Sequence, residues 1–164
     1  MSLQAKKTIS LMAVILVASL IFFFSAQPGD DSSQMSNAVT ELVLSAMVPG
    51  YGGLSESERL PYLEQWGFYV RKTAHFSEFA LLAATLVWHL TFAIPEAAPL
   101  ALAGRAWTLT TLYAGTDELH QMFVDRRGPA LTDVGIDSLG ALTAVVILAG
   151  LLHLLRRRHT QTER

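Results

Sequence analysis

The 164-residue chain carries 12 Lys and Arg against 14 Asp and Glu, has no cysteine, and is 51% apolar with only 16% charged residues, where a typical soluble domain has about 25%. Its length fits one domain, residues 1–164. The absence of cysteine excludes disulfides, thiolate metal sites, a cysteine nucleophile and a cysteine-linked lipid anchor. A net charge of −2 leaves no nucleic-acid footprint.

The charges avoid Thr8 to Gly29, Phe79 to Ile94 and Ser138 to Leu155, runs of membrane length. The first predicted span is residues 8–26, after Lys6 and Lys7 and apolar on all faces. A cleaved signal peptide fits it less well, because Phe24-Ser25-Ala26 is a poor small-x-small site. Residues 27–71 follow as an outer amphipathic segment. In it Met35, Ala38, Val39, Leu42, Val43, Ala46 and Met47 recur at helical spacing, with Ser36, Asn37, Thr40 and Glu41 opposite. A turn cluster at Pro49 to Gly53 and a capping box from Ser55 to Glu58 then open a second helix through Leu60, Leu63, Trp66 and Phe68. The whole predicts a helical, hairpin-like insertion resting its apolar side on the outer leaflet.

The second span, residues 72–94, stops at Pro95. For the third, Arg105 would cost roughly 2.5–3.5 kcal/mol at mid-bilayer, so it is placed at the membrane edge and the helix runs over 106–123. That length, at about 1.5 Å per residue, just crosses the hydrocarbon core. The fourth span is 133–155, ending in Arg156-Arg157-Arg158. An all-α polytopic protein with four transmembrane helices follows. The basic flanks Lys6, Lys7, Arg105, Arg156, Arg157, Arg158 and Arg164 place both termini in the cytoplasm by the positive-inside rule.

With that topology the polar residues awkward for a membrane helix collect at the outer ends of the spans. Arg71, Lys72, His75 and Glu78 share a face of the second, Asp117, His120 and Gln121 a face of the third, and Asp133 and Asp137 a face of the fourth. Asp125-Arg126-Arg127 adds two cations in the joining loop. Glu78 and Asp137 sit a turn or more inside and require partners or a water-filled cavity. The plain alternative is a set of solvated helix ends. His89 and His153 read as lone packing histidines.

Two functional classes fit. In one, an enzyme acts on a lipid-linked or headgroup phosphate. His75 or His120 serves as base or nucleophile, Glu78 or Asp117 orients the imidazole, and Arg71, Lys72, Arg126 and Arg127 hold phosphate oxygens with Glu118, Gln121, Asp133 and Asp137 nearby. A variant puts a divalent metal on His75, Glu78, Asp117 and His120, though no H-x-x-x-H or H-E-x-x-H spacing supports it. In the other class, a binding or scaffold protein holds an anionic lipid or cell-wall precursor, or docks an envelope protein partner. A transporter fits least, since the cytoplasmic halves of the spans lack matching polar residues.

The segments Lys72-Thr73-Ala74-His75-Phe76-Ser77-Glu78-Phe79 and Tyr113-Ala114-Gly115-Thr116-Asp117-Glu118-Leu119-His120-Gln121, followed by Arg127 and Asp133-Val134-Gly135-Ile136-Asp137, resemble the VanZ-like family. Phe24-Ser25-Ala26-Gln27-Pro28-Gly29 is similar to that family's corresponding stretch, so the resemblance covers about Phe22 to Ala149. Thr116, Phe79 and Asp137 stand where Ser, Tyr and frequently Asn are expected. The resemblance implies an integral membrane protein of the cell envelope linked to glycopeptide resistance, notably to teicoplanin. It supplies no reaction.

Overall fold

A computed structural model describes residues 1–162, with side chains to Arg158; Arg164 of the basic C-terminal flank lies outside the described residues. The described residues are helical, without strands: α1 (Leu3–Ser25), α2 (Gly29–Met47), a short 3-10 turn (Tyr51–Gly53), α3 (Glu56–Ala93), α4 (Pro99–Gln121) and α5 (Leu131–Thr162).

Among the described residues three helices are long and apolar enough to cross a membrane: α1, α3 and the Leu131–Arg158 stretch of α5. Helix α4 has the length, but Arg105 and a run of Thr, Trp and Tyr hold its hydropathy below theirs. Its start also differs from expectation. The Pro at N1 of Pro99–Gln121 opens the helix seven residues before Ala106, so Arg105 lies in its second turn, with its side chain exposed.

The expected separate helix after Ser55 and the expected second span are one element. The Glu58 carboxylate accepts hydrogen bonds from Ser55 N at 2.8 Å and Ser55 Oγ at 2.7 Å, closing the cap. From there α3 runs 38 residues, through Pro61, to Ala93. At about 1.5 Å per residue it far exceeds the roughly 30 Å hydrocarbon core, so its first half projects beyond the apolar Phe79–Ala93 half. Helix α2 lies on that projecting half, where Gly67 faces Asn37 and Thr40. Thr40 and Leu44 are buried while Met35, Val39, Leu42 and Met47 stay exposed. Small polar residues and Leu44 pack inward, while the outward side carries these apolar residues with Glu41 among them.

Helices α3, α4 and α5 pack around Ala83, Val87, Ala103, Ala106, Ala141 and Val145, and α1 joins through Ile21 against Phe79, Leu82 and Ala114. Small side chains bring the backbones close where lipid gives no hydrophobic drive between helices. At Gly140 the approach is tightest: a Cβ there would stand 2.1 Å from the Phe76 carbonyl oxygen. At one end of the bundle His89 Nδ1 lies 3.1 Å from Ser10 Oγ, Lys6 sits over Phe92, and Arg156 donates to the Ala97 carbonyl at 2.8 Å. The other end gathers the last turns of α1 and α4, the first of α5 and the middle of α3, and holds the candidate site.

Candidate functional site

Two linked cavities of about 220 and 280 Å³ lie at this end. Ser32, Arg71, His75 and Arg127 line both, and Glu78 lines the first. Over the second runs the loop joining α4 to α5, pinned to the start of α2. Gly29 N donates to the Asp125 carbonyl at 3.0 Å, and Arg126 pairs with Asp30. A Cβ on Gly29 would come within 2.4 Å of the Arg126 carbonyl, so this approach requires glycine. Arg126 itself adopts a left-handed backbone, φ 57°.

The predicted site residues divide by the helix they face. On α3, Lys72 Nζ donates to Asp133 Oδ1 at 2.5 Å, and His75 Nδ1 lies 3.8 Å from Asp137 Oδ1, so this face meets α5. The Gly140–Phe76 contact, one turn further along α5, sets that pairing. Asp137 is buried, and neither of its carboxylate oxygens nor His75 Nδ1 has a hydrogen-bond partner. The face of α4 meets α1 instead. Asp117 Oδ2 accepts from Ser25 Oγ at 2.8 Å and Gln121 Nε2 at 3.0 Å, while His120 stacks on Phe22 with ring centroids 4.5 Å apart. Glu118 Oε2 accepts from Ala130 N at 2.7 Å, which fastens the loop to α4.

His75 and His120 therefore do not share one dyad. The carboxylate beside His75 is Asp137, where Glu78 or Asp117 was expected. Among the described residues no three His, Asp or Glu side chains converge to hold a metal ion. Ser77 turns away and bonds the Thr73 carbonyl.

Of the four cations here, Lys72 and Arg126 are already paired. Arg71 and Arg127 form no ion pair among the described residues. Arg71 Nε is buried without a hydrogen-bond partner, and Arg127 Nη2 reaches only the Phe24 carbonyl at 3.4 Å. Burial lowers the Arg127 pKa from its ordinary value, opposed chiefly by the Asp117 carboxylate. An unpaired, half-buried guanidinium is costly unless something anionic reaches it.

Sequence reasoning missed Ser25 as a site residue. The available signal was level: Ser25 is the one polar residue in the last turn of α1, after Phe22, Phe23 and Phe24, and it lies level with Asp117 and Gln121.

The VanZ/LLP1 family model matches residues 10–154, which include every residue of both cavities. Comparisons with curated proteins and with solved structures returned no match. The paired motifs, the apolar helices and the match over most of its length show that the chain is a membrane protein belonging to the VanZ/LLP1 family.

Proposed function

We propose that the chain spans the membrane four times with both termini in the cytoplasm, and that its cleft binds a phosphate-bearing anionic lipid or lipid-linked envelope precursor at the outer leaflet. The observation that carries this reading is the pair Arg71 and Arg127, without ionic partners, on the wall shared by both cavities. Guanidinium forks match phosphate oxygens in geometry and charge. The cleft opens beside the exposed apolar side of α2, where a lipid headgroup would lie. Basic residues at both chain ends support the orientation. Sequestration of a cell-wall precursor in this cleft would be the route to altered glycopeptide susceptibility.

Catalysis is the second reading, favoured by His75. Its ring stands against a buried, unpartnered Asp137 and lines the cleft beside both arginines. In that case His75 would act as general base, with Asp137 holding its charged form.

The binding reading is tested on detergent-purified protein by the shift in thermal unfolding on adding phosphatidic acid or phosphatidylcholine, since a ligand for the native state raises stability by mass action. Phosphatidic acid is expected to stabilise the wild type more, and Arg71→Gln/Arg127→Gln to erase the difference. Equal shifts from both lipids in the wild type would contradict the reading.

A further inference from the structure

The two cavities have opposite linings. The smaller is walled mainly by Ile21, Phe24, Met35, Val39 and Val70, with Ser25, Ser36 and Glu78 among them. The larger is walled by Asp30, Lys72, Gln121, Arg126 and Asp133. Arg71, His75 and Arg127 stand at the seam between them. The apolar part does not lead into the helix core. Phe24, Met35 and Val39 are 38%, 47% and 51% exposed, so this part opens sideways onto the surface that α1 continues with exposed Phe22 and Phe23.

We infer that the occupant is a monophosphate amphiphile with a single hydrocarbon chain, an inference that rests on the anionic-lipid reading and narrows it. The phosphate sits at the seam between Arg71 and Arg127. Its chain runs along Ile21, Phe24, Met35 and Val39 toward the side opening, and any polar substituent on the phosphate enters the larger cavity.

Three observations carry the narrowing. First, the order apolar wall, cations, polar wall is the order of parts in such a molecule, with Glu78 the one carboxylate of the first cavity, on the same lining as Arg71 and Arg127. Second, the whole first cavity, its charged lining included, measures about 220 Å³, below the roughly 300–1,000 Å³ of a site for a drug-sized ligand, so it encloses a segment of one chain. Third, a diphosphate would need further free cations, but Lys72 and Arg126 in the larger cavity are held by Asp133 and Asp30. That cavity presents balanced donors and acceptors, which suit hydroxyl or amide groups.

The test uses the full-length chain in a phosphate-free, uncharged detergent and three probes: glycerol 3-phosphate, lysophosphatidic acid, and phosphatidic acid with the same acyl chain. Binding is measured by microscale thermophoresis. Lysophosphatidic acid is expected to bind at least about tenfold more tightly than either other probe. Val39→Trp, which fills the apolar part, is expected to weaken lysophosphatidic acid about tenfold and leave glycerol 3-phosphate unchanged. A chain-length series of single-chain phosphates on the wild type gives a second, mutation-free readout, with affinity rising until the cavity is filled and then levelling. Two-chain lipid binding as tightly as one-chain, or a flat length series, would overturn this inference and leave the anionic-lipid reading standing. No binding by any of the three probes would overturn both.

Discussion

Asp117 shows how a buried acid is accommodated at this depth of the bundle. It is 4% exposed, and Ser25 and Gln121 both turn donors toward its Oδ2, with Gln121 Nε2 also 2.8 Å from Ser25 Oγ, while Oδ1 is buried without a hydrogen-bond partner. Removing one donor leaves part of the carboxylate's desolvation uncompensated, which costs about 1–3 kcal/mol. Ser25→Ala is expected to destabilise by that amount in denaturant unfolding in micelles. Combined with Gln121→Leu it should cost less than the sum of the two singles, because both act on one acceptor; strict additivity would contradict the shared network. The sequence made the Asp117 and Gln121 spacing legible, since four residues apart on a helix share a face. It could not show that this face meets α1 while Lys72 and His75 meet α5 and Glu78 lines the cavity beside α1 and α2. Which neighbour a face meets depends on helix rotation, set here by alanine and glycine contacts whose residue types recur on several faces.

Among the elements, the α3–α5 crossing is the one that builds the site. Gly140 lets α5 touch the Phe76 backbone, and one turn earlier on α5 Asp137 falls beside His75. Gly140→Leu is expected to push the helices apart and cost about 1–3 kcal/mol, as overpacking does. Gly104→Ala and Gly150→Ala, with open space at the Cβ position, should be neutral or stabilising by up to about 1 kcal/mol. Heat-denaturation midpoints of the three variants check this; equal midpoints for Gly140→Leu and wild type would contradict the close crossing. The helix runs at α1 and α5 were readable from uninterrupted apolar stretches. The unbroken α3 was not, because Arg71 and Lys72 mark a membrane boundary and a boundary in polarity is not a boundary in backbone hydrogen bonding. Arg105 misled in the same way about where α4 begins: exposed near a helix end, its long side chain can reach the interface without breaking the helix.

At the scale of the molecule, the proposed four-span arrangement turns one end of the bundle into a basic anchor and the other into a cleft. Lys6 sits over Phe92 in the last turn of α3, and Arg156 donates to the Ala97 carbonyl in the connection from α3 to α4. Arg71 and Arg127 stand at the far end between an apolar opening and a polar chamber. The most direct test is ligand protection of a single cysteine at Ser32, which lines both cavities, in a chain whose native sequence has none. Intact cells expressing Ser32→Cys are treated with a membrane-impermeant maleimide, with and without added lysophosphatidic acid, alongside Ser2→Cys at the opposite end. Ser32→Cys is expected to be labelled from outside and shielded by the amphiphile, with shielding lost on Arg127→Gln and Ser2→Cys unlabelled until the membrane is opened. Labelling of Ser2→Cys with Ser32→Cys untouched, or labelling of Ser32→Cys at the same rate whether or not the amphiphile is present, would contradict a phosphate-binding cleft at the outer leaflet.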